Sequence, residues 1–219
     1  MARGNGPLAR IFGCIIVSSL AFTMTNKCLA YYVTYYLDRP DLVPNILPFA
    51  LVINLVFAPL WAVVARRTSK RTAWLYANVL SAVAYTLFFL SPSRDPLVAA
   101  ALIGLISAGN VAYQVLFWAM LPDTVEYNAW KTGQRHDAKV FGIASFAKQL
   151  ALGLNGALLG WMLSAIGYVP NQDQSEATLW GLKAIMALVP LAGVAISAWL
   201  IWGYQLDQAE HKRMQESMA

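Results

Sequence analysis

The sequence predicts an all-α membrane protein of six transmembrane helices, and three observations carry that prediction. Of its 219 residues, 58% are hydrophobic and only 12% are charged. An ordinary soluble domain carries about 25% charged residues, roughly twice as many. Six segments are long and apolar enough to cross a hydrocarbon core about 30 Å thick, which takes about 20 residues per helix. None of them alternates polar and apolar residues strictly, which argues against a β-barrel.

The first span, 8–37, follows Arg3 and Arg10 and runs on past Lys27 into YYVTYYL. That is longer than the apolar core of a signal peptide and has no convincing cleavage site, so it reads as a retained helix. It carries both cysteines, Cys14 and Cys28. Fourteen helical residues put them about 21 Å apart, far beyond disulfide reach. The turn DRPDLVPN leads to the second span, 47–65, where Pro48 and Pro59 each remove a backbone donor and predict kinks. RRTSKR joins it to the third span, 73–90, and SPSRDP joins that to the fourth, 97–121. The fourth span ends where the polar stretch MLPDTVEYNAWKTGQR begins, and PDTVEYNAWKTGQRHDAK reads as a connecting loop. In the fifth span, 140–168, Gly153, Gly156 and Gly160 form a small-residue face that predicts close helix packing. GYVPNQDQSEAT leads to the sixth span, 179–204, which contains Pro190. Residues 1–204 thus read as one six-helix bundle and 205–219 as a polar cytoplasmic tail.

The formal charge of +5 is distributed by topology. Arg3, Arg10, Arg66, Arg67, Lys70, Arg71, Lys131, Arg135, Lys139, Lys212 and Arg213 fall on one side, and only Arg39 and Arg94 fall in the opposite loops. This positive-inside asymmetry predicts a multi-pass protein of the cell (inner) membrane with both termini cytoplasmic. The basic excess therefore calls for membrane lipid as a neighbour and no nucleic acid. His136 and His211 fall in polar connections, and no His/Cys cluster suggests a metal or other cofactor.

Polar side chains at membrane depth are costly, so those present mark candidate function. Thr23, Lys27, Tyr31 and Tyr35 recur every four residues and share a helix face. Lining a wet cavity, they would offer hydroxyls and an ammonium to a sugar or an acidic group. The alternative is a snorkelling lysine below an interfacial tyrosine belt. Asn110, Gln114 and Trp118 repeat the spacing on the fourth span. Amides bond hydroxyls and an indole stacks on a sugar's apolar face, although amides also bond helix to helix. The fifth span adds Ser145, Lys148 and Gln149. No catalytic motif occurs, so an enzyme is not expected. Asp123 and Glu126, three residues apart, read as gate or anchor charges.

MLPDTVEYNAWKTGQR, continued by VFGIASFAKQLALGLNGALLGWMLSAIGYVPNQDQS, closely resembles the glycoside–pentoside–hexuronide:cation symporters. These are the melibiose permease-like carriers of the major facilitator superfamily. The resemblance is strong from about residue 97 onward and weaker but collinear before it. It implies that the six spans correspond to helices seven to twelve, the C-terminal half of a fold whose halves face each other across a midplane site. The implied function is transport of a sugar or glycoside coupled to a cation, Na+ or H+. The cation-coordinating acids belong to the family's first six helices, so that site is expected outside this chain.

The resemblance also implies a partner, either an N-terminal six-helix half or a second copy. Lys27, Tyr31, Asn110, Gln114, Ser145, Lys148 and Gln149 are then the expected substrate-binding residues. Asp123, Glu126, Lys131 and Arg135 are the expected cytoplasmic gate against the partner bundle. The family usually has a lysine at the position of Gln149, one residue after Lys148, and one residue turns a helix by about 100°. A second reading is a truncated or non-transporting membrane protein that docks on another carrier.

Overall fold

The computed structural model describes residues 6–132 and 137–204, and its elements are all helical. They are α1 (Gly6–Tyr31), α2 (Val43–Arg67), α3 (Lys70–Leu90), α4 (Pro96–Thr132), α5 (Asp137–Ala165) and α6 (Glu176–Trp202). Five of them are long and apolar enough to cross a membrane. The 29-residue α5 is long enough as well, but carries Lys148, Gln149 and Asn155 within its length. The chain is a multi-pass membrane protein.

Local chemistry sets the helix ends. Ser69 accepts a hydrogen bond from the Thr72 N–H at 3.0 Å, and Ser175 does the same for Thr178 at 3.2 Å, capping α3 and α6. Arg66 and Arg67 occupy the last turn of α2, where cations complement the helix dipole. At the end of α5, Gly167 takes a left-handed φ of 73°, and the Tyr168 N–H reaches back to the Leu163 carbonyl at 3.0 Å. α1 widens at its far end into a π-helical turn, Tyr32–Tyr36.

Two expectations are corrected here. α4 runs through most of the polar stretch expected to be a loop, to Thr132. Met120, Leu121, Thr124 and Val125 stay buried while Asp123 and Glu126 are partly exposed. These last turns are an amphipathic helix, stabilised by packing one face. Second, the glycine face of α5 makes no close helix packing among the described residues: a Cβ at Gly153 or Gly160 would meet nothing within 4 Å, and one at Gly156 only the Lys27 ammonium. Pro48, Pro59 and Pro190 lie inside helices that continue past them.

The bundle is organised around α1, which packs on α6, α5 and α4. α3 packs on both α4 and α6, and α2 leans chiefly on α4. The α3–α4 crossing is tight, because a Cβ on Gly109 would collide with the Ser81 hydroxyl. Hydrogen bonds cross these contacts: Tyr113 donates to Asn78 at 3.0 Å, Trp74 to Ser197 at 2.8 Å, and Trp61 to the Ala108 carbonyl at 2.7 Å. Satisfying polar groups within the bundle is what lipid surroundings demand. Cys14 and Cys28 are buried and free.

Candidate functional site

α4 and α5 touch only sparingly, although each packs on α1. The result is a cleft between them with α1 behind it. Lys148 reaches across this cleft from α5, donating to Gln114 Oε1 on α4 at 2.9 Å. Its ammonium also lies 5.9 Å from the centre of the Trp118 ring. Trp118 in turn stacks on Phe141 of α5, with ring centres 6.3 Å apart and planes 16° from parallel. An amide carbonyl and an indole face are both neutral partners, and no acid among the described residues pairs with Lys148.

Lys27 supplies a second ammonium. It is exposed, and its Nζ lies 3.3 Å from where a Cβ on Gly156 would stand, so it leans on α5. Gly156 is eight residues from Lys148, about 12 Å along the helix. The two cations thus sit at different depths along α5. Between them lies a small pocket lined by Ile15, Ser18, Ser19, Phe22, Tyr113 and Gln114, together with Asn110. The Ser18 and Ser19 hydroxyls are buried with no hydrogen-bond partner. A buried hydroxyl without a partner costs about 1–3 kcal/mol. Sequence reasoning passed over these two serines, since lone serines are ordinary in membrane helices. Their adjacency to Gln114 exists only in the fold.

The other expected binding residues are placed in three settings. Asn110 is buried and donates to the Tyr85 hydroxyl at 2.7 Å, while Tyr85 shares a 2.7 Å bond with Thr25. It ties α4 to α3 and α1 while also edging the pocket. Tyr31 packs edge-on against Tyr168, ring centres 5.3 Å apart, beyond the cleft and toward the end of α1. Ser145 and Gln149 are exposed on the same open side of α5 as Gly142 and Gly153, with Gln149 about 100° around the helix from Lys148.

At the basic end Lys70 binds Asp123 at 2.7 Å and donates to the Ala119 carbonyl at 2.8 Å. The expected gate acid Asp123 is thereby engaged within this bundle. Glu126 lies one turn further along α4, half-buried. Arg135 and the Lys131 side chain lie outside the described residues, as do His136 and the tail 205–219.

At the opposite end a tyrosine cluster closes over α1. Tyr168 donates to the Tyr35 hydroxyl at 3.0 Å, and the Asn171 N–H reaches the same oxygen at 3.2 Å. Lys183, only 1% exposed, donates to the Ser91 carbonyl and lies over the rings of Tyr36 and Trp180 at 5.2 and 4.9 Å. Nearby, Arg94 binds Glu176 at 3.0 Å, and that hydrogen bond holds its guanidinium pKa above the ordinary value. Lys183 falls within the sixth span, and the sequence shows none of these partners.

A family model described as MFS/sugar transport protein matches residues 2–208. Among curated relatives, a putative sulfoquinovose importer of Salmonella typhimurium is 32% identical over 98% of this chain and 46% of its own length. An uncharacterized symporter of Bacillus subtilis, YnaJ, is 29% identical over 97% of this chain and 46% of its own. A glucuronide carrier protein homolog of Escherichia coli is 28% identical over 92% and 44%. The chain spans about half the length of the curated relatives it matches.

Proposed function

The chain belongs to the MFS/sugar transport protein family, a family of transporters and not of enzymes, and we propose that it forms the C-terminal six-helix half of a sugar carrier. The observation that carries this reading is the cleft: Lys148 is held on Gln114 and Trp118, and Gln114 shares a pocket with two buried hydroxyls that lack partners. Hydroxyls and an amide suit a sugar's hydroxyls, and the Trp118 face suits its apolar side. Two ammoniums that pair with no carboxylate among the described residues favour a substrate bearing an acidic group. The names of two relatives, sulfoquinovose importer and glucuronide carrier homolog, point to sugar-type cargo.

The cleft has one wall missing. α2 exposes Leu51, Val52, Leu55 and Val56, and α5 exposes Phe146, Leu150 and Leu154 along with its open glycines. A second six-helix half would close the cleft and cover these faces. Coupling to Na+ or H+ is part of the proposal, with the ion's site on that other half. Cytoplasmic termini and an inner-membrane location belong to the same proposal, supported by the basic asymmetry of the loops.

The test is co-expression of this chain with an N-terminal half from the same family, followed by reconstitution. Uptake of a radiolabelled acidic sugar, driven by an imposed Na+ or H+ gradient and absent from either half alone, is the expected result. Full uptake by this chain alone overturns the half-carrier reading.

A further inference from the structure

A hollow of about 260 Å³ opens at the basic end between α1 and α6, lined by Arg10, Trp199, Leu200, Trp202 and Gly203. It lies away from the cleft and takes no part in the transport reading. Arg10 rises from the first turns of α1, and its guanidinium occupies the space that a Cβ at residue 203 would fill. Only a glycine there leaves that seat open. Arg10 lines the hollow, and its fork of donors meets no acceptor among the described residues.

A second arginine stands beside it. Arg71 donates through Nη2 to the Trp202 carbonyl at 2.6 Å, while its Nε is buried without a partner. Trp199 and Trp202, three residues apart on one face of α6, are 76% and 70% exposed. Capping of the α6 carbonyls accounts for Arg71's Nη2, but for neither its Nε nor Arg10. Asp123, an acid on this end of the bundle, is already held by Lys70.

We propose that this hollow is a binding site for an anionic phospholipid, with the headgroup phosphate on Arg10 and Arg71 and the acyl chains along Trp199 and Trp202. Guanidinium forks match phosphate oxygens in pairs. Indole rings sit at the level of lipid headgroups. A basic pocket between helix ends, walled by two exposed indoles, joins both in one place.

The experiment uses the full chain in neutral detergent, titrated with phosphatidylglycerol or phosphatidylcholine whose acyl chains are dibrominated, and reads quenching of tryptophan fluorescence. Phosphatidylglycerol is expected to half-saturate at a concentration at least about fivefold below phosphatidylcholine, the effect of about one arginine near a headgroup. Arg10→Gln abolishes the difference. Gly203→Ala abolishes it too, with the net charge unchanged, because the new methyl displaces the guanidinium. The double substitution Trp199→Phe and Trp202→Phe removes the part of the quenching specific to phosphatidylglycerol. Equal half-saturation by the two lipids in the unmodified chain overturns the proposal without recourse to any variant. So does a preference that survives Arg10→Gln. If millimolar inorganic phosphate abolishes the preference, the site takes free anions and the lipid assignment fails.

Discussion

Lys148 is the residue whose role depends most on a single rotation of a helix. The resemblance to the symporters implies a lysine at position 149, yet in this chain the ammonium at 148 crosses to Gln114. Both partners of that bond are therefore expected to matter together. In the reconstituted two-half carrier, Lys148→Ala and Gln114→Ala should each weaken substrate binding about five- to hundredfold. The double variant should lose less than the product of the two, because the singles remove the same bond. Gln149→Ala should have the smallest effect of the three. A larger loss at Gln149 than at Lys148, in substrate protection of single cysteines, would show that the family position still faces the site. Lys183 makes a stability prediction instead. Lys183→Met strands the Ser91 carbonyl and should destabilise the bundle by about 1–3 kcal/mol, read as a lower thermal midpoint in detergent.

At the scale of elements, two glycines with similar sequence surroundings do opposite things. Gly109 lets α4 approach α3 so closely that any side chain strikes Ser81. Gly109→Val should cost about 1–3 kcal/mol through overpacking, measured by thermal unfolding of the chain alone. Gly153 faces open space. Gly153→Val should leave that unfolding midpoint unchanged, yet reduce co-purification with an N-terminal half. Equal behaviour of the two variants in both assays would remove α5 from the proposed interface. The small-residue pattern around GALLG was legible in the sequence, but whether it packs within the chain was not. Spacing shows which residues share a face and leaves open what the face meets.

Across the whole molecule, charge and exposed apolar surface set the expectations. Reporter fusions after Arg71 should read as cytoplasmic, and fusions after Pro92 and Asn171 as external, following the basic asymmetry. Reversal at two of these sites overturns the proposed orientation. The unpaired faces of α2 and α5 predict that this chain accumulates poorly by itself and better with an N-terminal half, as measured by membrane yield. Leu55 is 78% exposed and Phe146 68%. Lipid tolerates such residues, so the sharper sign of a missing half is the cleft, whose Lys27 and Lys148 would face lipid alone.

The sequence by itself determined the helices, their order and the family, because hydropathy is a sum over neighbours in the chain and a motif is a fixed run of letters. It also singled out Lys27, Gln114 and Lys148, since any charge or amide at membrane depth is costly enough to need a reason. It misplaced the end of α4, because a polar stretch with one buried face reads as a loop until the face it packs on is known. Only the tertiary structure decided the partners. Lys148 meets Gln114, Asp123 meets Lys70, and Asn110 meets Tyr85, each across 25 to 53 residues of chain. Those pairings depend on how each helix is rotated about its own axis. That rotation is set by packing against all its neighbours at once, a quantity no local stretch of sequence contains.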